Sequence, residues 1–167
     1  MFIAVRARYR VRQFGRTLGA HPAAADLRAA RAALSAEEWT LFRGMSPRDQ
    51  WHSIETWRLL EREGFTEPAL RTAALLHDAG KGRVRLHERV LFVLLARAPA
   101  ALERLAAANA PGTRGALHRI VHHAEAGASL AAAAGAPPRT VELIRRHHNS
   151  SIDEPELAAL IRADERA

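Results

Sequence analysis

The chain has 167 residues, 48% of them hydrophobic, and its 25 basic and 18 acidic residues give a net charge of +7. That length suits one domain with a real core, and the Ala- and Leu-rich, aromatic-poor composition favours helices over strands. Cysteine is absent, which excludes disulfides and thiolate metal sites.

The charge is concentrated at the start. Arg6, Arg8, Arg10, Arg12 and Arg16 precede the first acidic residue, Asp26, so the first 25 residues carry +5 and the rest only +2. The alternation of apolar residues and arginine from Val5 to Arg12 fits a short strand or a basic helix. Val11, Phe14 and Leu18 continue an apolar stripe and favour the helix. No long apolar core precedes a small-residue cleavage site, and no run reaches the ~18 apolar residues of a membrane span, so a cytoplasmic protein is expected.

A helix is expected over residues 24–33. Ser35 with Glu38 fits a capping box that opens the next, and Ser46-Pro47 opens a third, the hydroxyl capping and the proline at the first helical position. That third helix carries Trp51, His52, Ile54, Trp57, Leu59 and Leu60 and ends near Gly64. Pro68 starts another, which runs through Leu75-Leu76 to the pair His77-Asp78 and is stopped by Gly80. Further helices are expected at about 84–97, 99–109, 113–122, 124–134, 138–148 and 154–165, with breaks at Pro99, Pro111-Gly112, Gly135 and Pro137-Pro138. No segment reads as a central strand, and no repeat or linker divides the chain. The expected fold is an all-α, single-domain helical bundle.

Imidazole nitrogens and carboxylate oxygens dominate the residues able to carry chemistry: His52, His77-Asp78, His122-His123, His147-His148 and Asp164. Such a mixed set suits iron, manganese, zinc or cobalt. On a helix His77 and Asp78 point about 100° apart and can flank an ion cluster, and a carboxylate has two oxygens with which to bridge. Each residue also has an ordinary explanation. His52 fits a satisfied core or surface histidine, His118 with His122 a solvated stripe, Arg145-Arg146-His147-His148 the cationic end of a helix, and Asp164 an exposed acid. A shared metal centre would account for them all at once, since burying unpaired polar groups is costly. Lys81, the only lysine among 25 basic residues, fits either a phosphate contact or an ion pair with Asp78.

The order His52, His77-Asp78, Asp164 resembles the HD superfamily of metal-dependent phosphohydrolases over roughly residues 47–165. His77-Asp78-Ala79-Gly80-Lys81 is similar to the family's His-Asp-x-Gly-Lys string. His123-Ala124-Glu125-Ala126-Gly127 is similar to the His-x-x-x-Gly segment of two-metal members, which favours His123 over His122. His147-His148 resembles the double histidine of the HD-GYP cyclic-dinucleotide phosphodiesterases, although the Gly-Tyr-Pro run is replaced by Asn149-Ser150-Ser151. Arg48, one turn before His52, stands where some members carry an acidic ligand for a third metal.

The resemblance implies an HD-type domain over residues 46–167 behind a basic helical extension, 1–45. It implies two divalent ions (Mn, Fe, Mg, Co or Zn) held by His52, His77, Asp78, His123, His147, His148 and Asp164. Asp78 would bridge them and activate a water, with Lys81, or less directly Arg145 or Arg146, on the phosphate of a nucleotide-like small molecule. Two alternatives are di-iron oxygen chemistry on the same ligands and a non-catalytic module whose basic arm binds nucleic acid or an anionic membrane surface. The low charge outside the arm disfavours a large nucleic-acid footprint.

Overall fold

The computed structural model describes residues 20–149 and 154–167. The expectations placed on the basic arm before residue 20 and on residues 150–153 lie outside them. Among the described residues there are nine α-helices and one 3-10 turn: α1 (Ala24–Ala33), α2 (Ala36–Gly44), α3 (Pro47–Arg62), α4 (Pro68–Leu76), the turn Ala79–Lys81, α5 (Leu86–Leu95), α6 (Pro99–Leu105), α7 (Gly112–Ala133), α8 (Pro138–Arg146) and α9 (Pro155–Arg166). The protein is all-α, as its composition and periodicity lead one to expect.

Local chemistry sets the helix starts. Ser35 Oγ accepts from Glu38 N at 3.1 Å while Glu38 Oε2 accepts from Ser35 N at 2.8 Å, a complete capping box. Ser46 Oγ accepts from Asp49 N at 3.2 Å at the head of α3. Proline occupies the first turn of α3, α4, α6, α8 and α9, where its missing N–H costs nothing.

The core is built around α4, whose Leu70, Thr72, Ala73, Ala74, Leu75 and Leu76 are all buried. α3 packs on one side of it and α8 on another, with α9 against α3 and α7 against both α8 and the 3-10 turn. Ala30, Leu34, Phe42 and Met45 from the first two helices and the segment after them join the same core. Each buried Leu, Ile or Phe in it contributes about 1.5–3 kcal/mol. At the edge, α5 buries Glu88 alone and leaves Leu86, Val90 and Leu94 exposed.

Three expected boundaries differ from the observed ones. The segments 113–122 and 124–134 are one 22-residue helix, α7. No residue near His123-Ala124 removes an N–H or forces a kink, so the hydrogen-bond ladder runs on. The helix expected over 99–109 stops at Leu105. Ala107 N instead donates to Arg114 O at 3.2 Å, and Asn109 takes a left-handed φ of 58°. Finally, His77 caps α4 and Asp78, at φ −94° and ψ 0°, lies beyond it at the head of the 3-10 turn. The 100° helical offset expected between the pair therefore does not apply.

Candidate metal centre

Five backbone segments bring the seven expected residues together at one end of the α3–α4–α8–α9 core. His52 comes from the second turn of α3, and His77 and Asp78 from the C-terminal end of α4 and the turn after it. His123 lies midway along α7, His147 and His148 follow α8, and Asp164 is in the last turn of α9.

A double backbone approach fixes the turn against α7. A Cβ on Gly80 would lie 2.1 Å from His123 O and 2.6 Å from Gly127 N, and one on Gly127 would lie 3.2 Å from Gly80 N. Only glycine lets the two backbones touch, and that contact carries Asp78 to His123. The glycines of the two sequence strings, Gly80 and Gly127, are thus partners across the interface.

The side chains form two adjoining triads whose ligating atoms lie within 4.8 Å of one another: His52, His77 and Asp78, then His123, His147 and His148. Asp164 Oδ1 lies 2.8 Å from His52 Nε2 and 3.3 Å from His77 Nε2. Asp78 Oδ1 lies 3.6 Å from His77 Nε2 and 3.3 Å from His123 Nε2, so Asp78 faces both triads. His123 Nε2 and His148 Nε2 are 2.9 Å apart.

Three rings are oriented in the same way. Nδ1 of His77, His123 and His147 approaches the carbonyl three residues earlier, on Ala74, Ile120 and Ile144, at 2.9, 2.7 and 2.6 Å. A carbonyl only accepts, so each Nδ1 carries a proton and each Nε2 is aimed into the cluster. His77 and His147 are fully buried, and their Nε2 atoms have no hydrogen-bond partner. The contact of His77 with Asp164 is an ion-pair distance without hydrogen-bond geometry.

The electrostatics differ across the site. Burial alone lowers a histidine pKa, but at His77 the carboxylates of Asp78 and Asp164 outweigh it and lift the group to about 9. Burial, reinforced by neighbouring rings, pushes His147 down to about 3 and His148 to about 2. Burial and then the Lys81 ammonium lower His123 as well. Against the upward push of burial, Lys81, His77 and His123 hold Asp78 well below the usual carboxylate range. Asp164 is held low in the same sense, with His52 and His77 overcoming its burial.

This donor set fits divalent cations. A buried, neutral imidazole whose lone pair meets no donor is stabilised by a Lewis acid. The 2.9 Å between His123 and His148 Nε2 is close to the ~3 Å between neighbouring ligands on an ion with bonds of about 2.1 Å. Two carboxylates and five imidazoles without a thiolate suit Mn, Fe, Co or Zn, with Mg less matched to nitrogen.

The remaining expected residues are placed as follows. Lys81 Nζ is 2.5 Å from Asp78 Oδ1, the ion-pair geometry of its two sequence options. His122 is exposed, its ring 4.4 Å from that of His118 on the outer face of α7, away from the cluster. Arg145 Nε is 3.0 Å from Glu125 Oε2, and Arg146 pairs with Glu142 and Glu154, so both arginines are engaged in tying α8 to α7 and to the start of α9. A buried Asp49, which pairs with Arg89, gave no signal in the sequence. Nor did the three carbonyl contacts, since any residue three positions back offers a carbonyl.

A family model described as HD domain matches residues 51–166. No curated protein and no solved structure matches the chain.

Proposed function

Since the chain belongs to the HD-domain family, we propose that it is a metal-dependent phosphohydrolase acting on a phosphomonoester or phosphodiester of a nucleotide or related small molecule. The observation that carries this is the buried Nε2 of His147, without a hydrogen-bond partner among the rings of His77, His123 and His148, a lone pair that a cation would satisfy. His52, His77 and Asp164 would hold one divalent ion and His123, His147 and His148 a second, with Asp78 facing both. Two such ions supply Lewis acidity, lowering the pKa of a water and offsetting charge on phosphate oxygens.

The chain's own groups do the positioning. Carbonyls of Ala74, Ile120 and Ile144 fix three ring tautomers, so Nε2 faces inward without reorganisation. Asp78 and Asp164 stay ionised throughout the neutral range because the surrounding cations stabilise their charge. The Lys81 ammonium, held at Asp78, is poised to move onto a phosphate oxygen. We assign these roles to residues 46–167 and treat 1–45 as an extension outside the chemistry.

The test is a phosphoester panel assayed with metal-stripped protein and after adding back Mn²⁺, Mg²⁺, Fe²⁺, Co²⁺ or Zn²⁺. Hydrolysis is expected only with metal and is expected to vanish in His147→Ala. Stoichiometric iron with a visible absorption band and no hydrolysis of any phosphoester would overturn the proposal in favour of oxygen chemistry.

A further inference from the structure

We propose that α5 and the arginines at its two ends form a docking face for an anionic lipid surface, with three aliphatic side chains inserted at the headgroup boundary. The inference stands apart from the phosphohydrolase function proposed above, since it uses none of the residues of the cluster.

α5 is built inside out. An edge helix ordinarily buries its apolar stripe and exposes its polar one. Here the only buried residue is Glu88, whose Oε2 accepts from Arg85 N at 2.7 Å. Half-buried Arg89 pairs with buried Asp49. Leu86, Val90 and Leu94, spaced four apart and so on one stripe, are instead 54%, 41% and 66% exposed. Glu88, two positions from both Leu86 and Val90, lies on the opposite side of the helix.

The same region is the basic part of the described chain. Residues 82–121 hold seven arginines and two acids, whereas residues 26–81 hold eight basic and nine acidic residues and residues 122–167 hold five and seven. On α3, α8 and α9 the arginines meet carboxylates: Arg58 meets Asp26 and Glu55, Arg139 meets Glu154 and Glu156, and Arg166 meets Glu63. Arg83 and Arg85, leading into α5, and Arg97, just after it, are exposed and have no carboxylate partner among the described residues. The aliphatic stripe thus has unneutralised guanidinium groups at both ends.

Charge complementarity chooses the occupant. A two-fold dimer would set this stripe against itself and crowd the same arginines together. A helix of ten residues, about 15 Å long, also offers far less than the ~800 Å² per partner of a stable interface. The arginine-rich arm would meet the same repulsion. Nucleic acid has phosphates, but single strands bind by stacking on aromatic rings, and the stripe is Leu and Val. An anionic bilayer supplies both halves of the match, acyl chains for the aliphatic stripe and phosphates for the guanidinium groups. No helix among the described residues is long and apolar enough to cross a membrane, so α5 lies in the interface.

The test is flotation of the full-length protein with phosphatidylcholine vesicles, with and without phosphatidylserine. Wild type should bind the phosphatidylserine vesicles about tenfold or more tighter than phosphatidylcholine alone, and less tightly as salt rises. Two variants, Leu86→Gln with Leu94→Gln and Arg83→Gln with Arg85→Gln and Arg97→Gln, should each weaken that binding about tenfold. Melting temperature should hold in both, because only exposed side chains change. Where the leucine pair melts lower, Leu94→Gln alone, at the most exposed site, should weaken binding about threefold. The arm is intact in every variant, so the loss belongs to this face. Binding that is equal on the two lipids, or unchanged in either folded variant, would overturn the proposal. A dimer in vesicle-free solution that the leucine pair dissociates would assign the stripe to a second copy instead. Oligonucleotide binding that the arginine variant abolishes, with no binding to either vesicle, would assign the charge to nucleic acid.

Discussion

The half of the cluster made by His52, His77, Asp78 and Asp164 is charged: two ionised carboxylates surround a histidine lifted to about 9. The half made by His123, His147 and His148 is neutral, its last two rings pushed to about 3 and about 2. The charged half neutralises itself when no metal is bound, because His77 and Lys81 serve as its counterions. The neutral half has no such substitute and holds His147 Nε2 buried without a partner. Its order comes from outside, from the carbonyls behind His123 and His147 and from the glycine contact under His123. On the proposed two-ion reading, a cation would displace a proton in the first half and answer an unmet lone pair in the second.

Removing what joins the halves should have the largest effect. Gly80→Ala puts a methyl 2.1 Å from His123 O, and backbone cannot yield as a side chain can. The expected loss is about 3 kcal/mol or more, read as a fall in melting temperature together with loss of bound metal. Retention of full metal content and melting would show that the turn and α7 are not rigidly coupled. Next, Asp78→Asn removes the group that faces both halves and leaves Lys81 without its partner. Activity should fall by more than about a hundredfold, the upper end for an outer-shell residue, and metal content should drop to one ion per chain or fewer.

The contrast itself is sharpened by paired substitutions in chelator-treated protein. His77→Leu takes a charged neighbour from buried Asp78 and partly buried Asp164, leaving them Lys81 and His52, and should cost about 3 kcal/mol, whereas His147→Leu removes an unsatisfied polar atom and should change stability by less than about 1 kcal/mol. Equal losses in thermal melts would erase the distinction between the halves.

The smallest signal is in protons. Metal-free His77 has its pKa raised, so the stability it contributes is complete below about 6.5 and disappears as pH rises through about 9. His147 and His148 have theirs lowered. The unfolded chain takes up protons that the folded chain refuses, so stability falls as pH drops below about 6.5. Metal-free protein should be most stable between these limits. Metal uptake near pH 7 should release about one proton per chain, from His77, and strengthen with rising pH toward about 9. Calorimetric titrations in buffers of different ionisation enthalpy count that proton, and a count of zero would place His77 outside the metal site.

Much of this was legible in the chain. Serine and proline marked where helices begin because caps and first-turn prolines act within three or four residues, and the His-Asp-x-Gly-Lys and His-x-x-x-Gly strings pointed to His77, Asp78 and His123. The rest depends on through-space relations. Gly127 reads as a weak point in a helix until Gly80 lies against it, and a continuous α7 follows from what no residue interrupts. The opposite titration of His77 and His147 cannot be read from identical side chains. It depends on which carboxylates the fold brings near each ring. Arg145 and Arg146 read as candidates for phosphate binding because Glu125, the partner of Arg145, and Glu154, one partner of Arg146, lie 20 and 8 residues away in the chain.

Elemental analysis of freshly purified wild-type protein tests the central claim most directly. Two halves that each hold one cation predict close to two divalent ions per chain, both lost together with activity on chelation and restored together on adding metal back. A count near zero in active protein, or activity untouched by chelation, would contradict it.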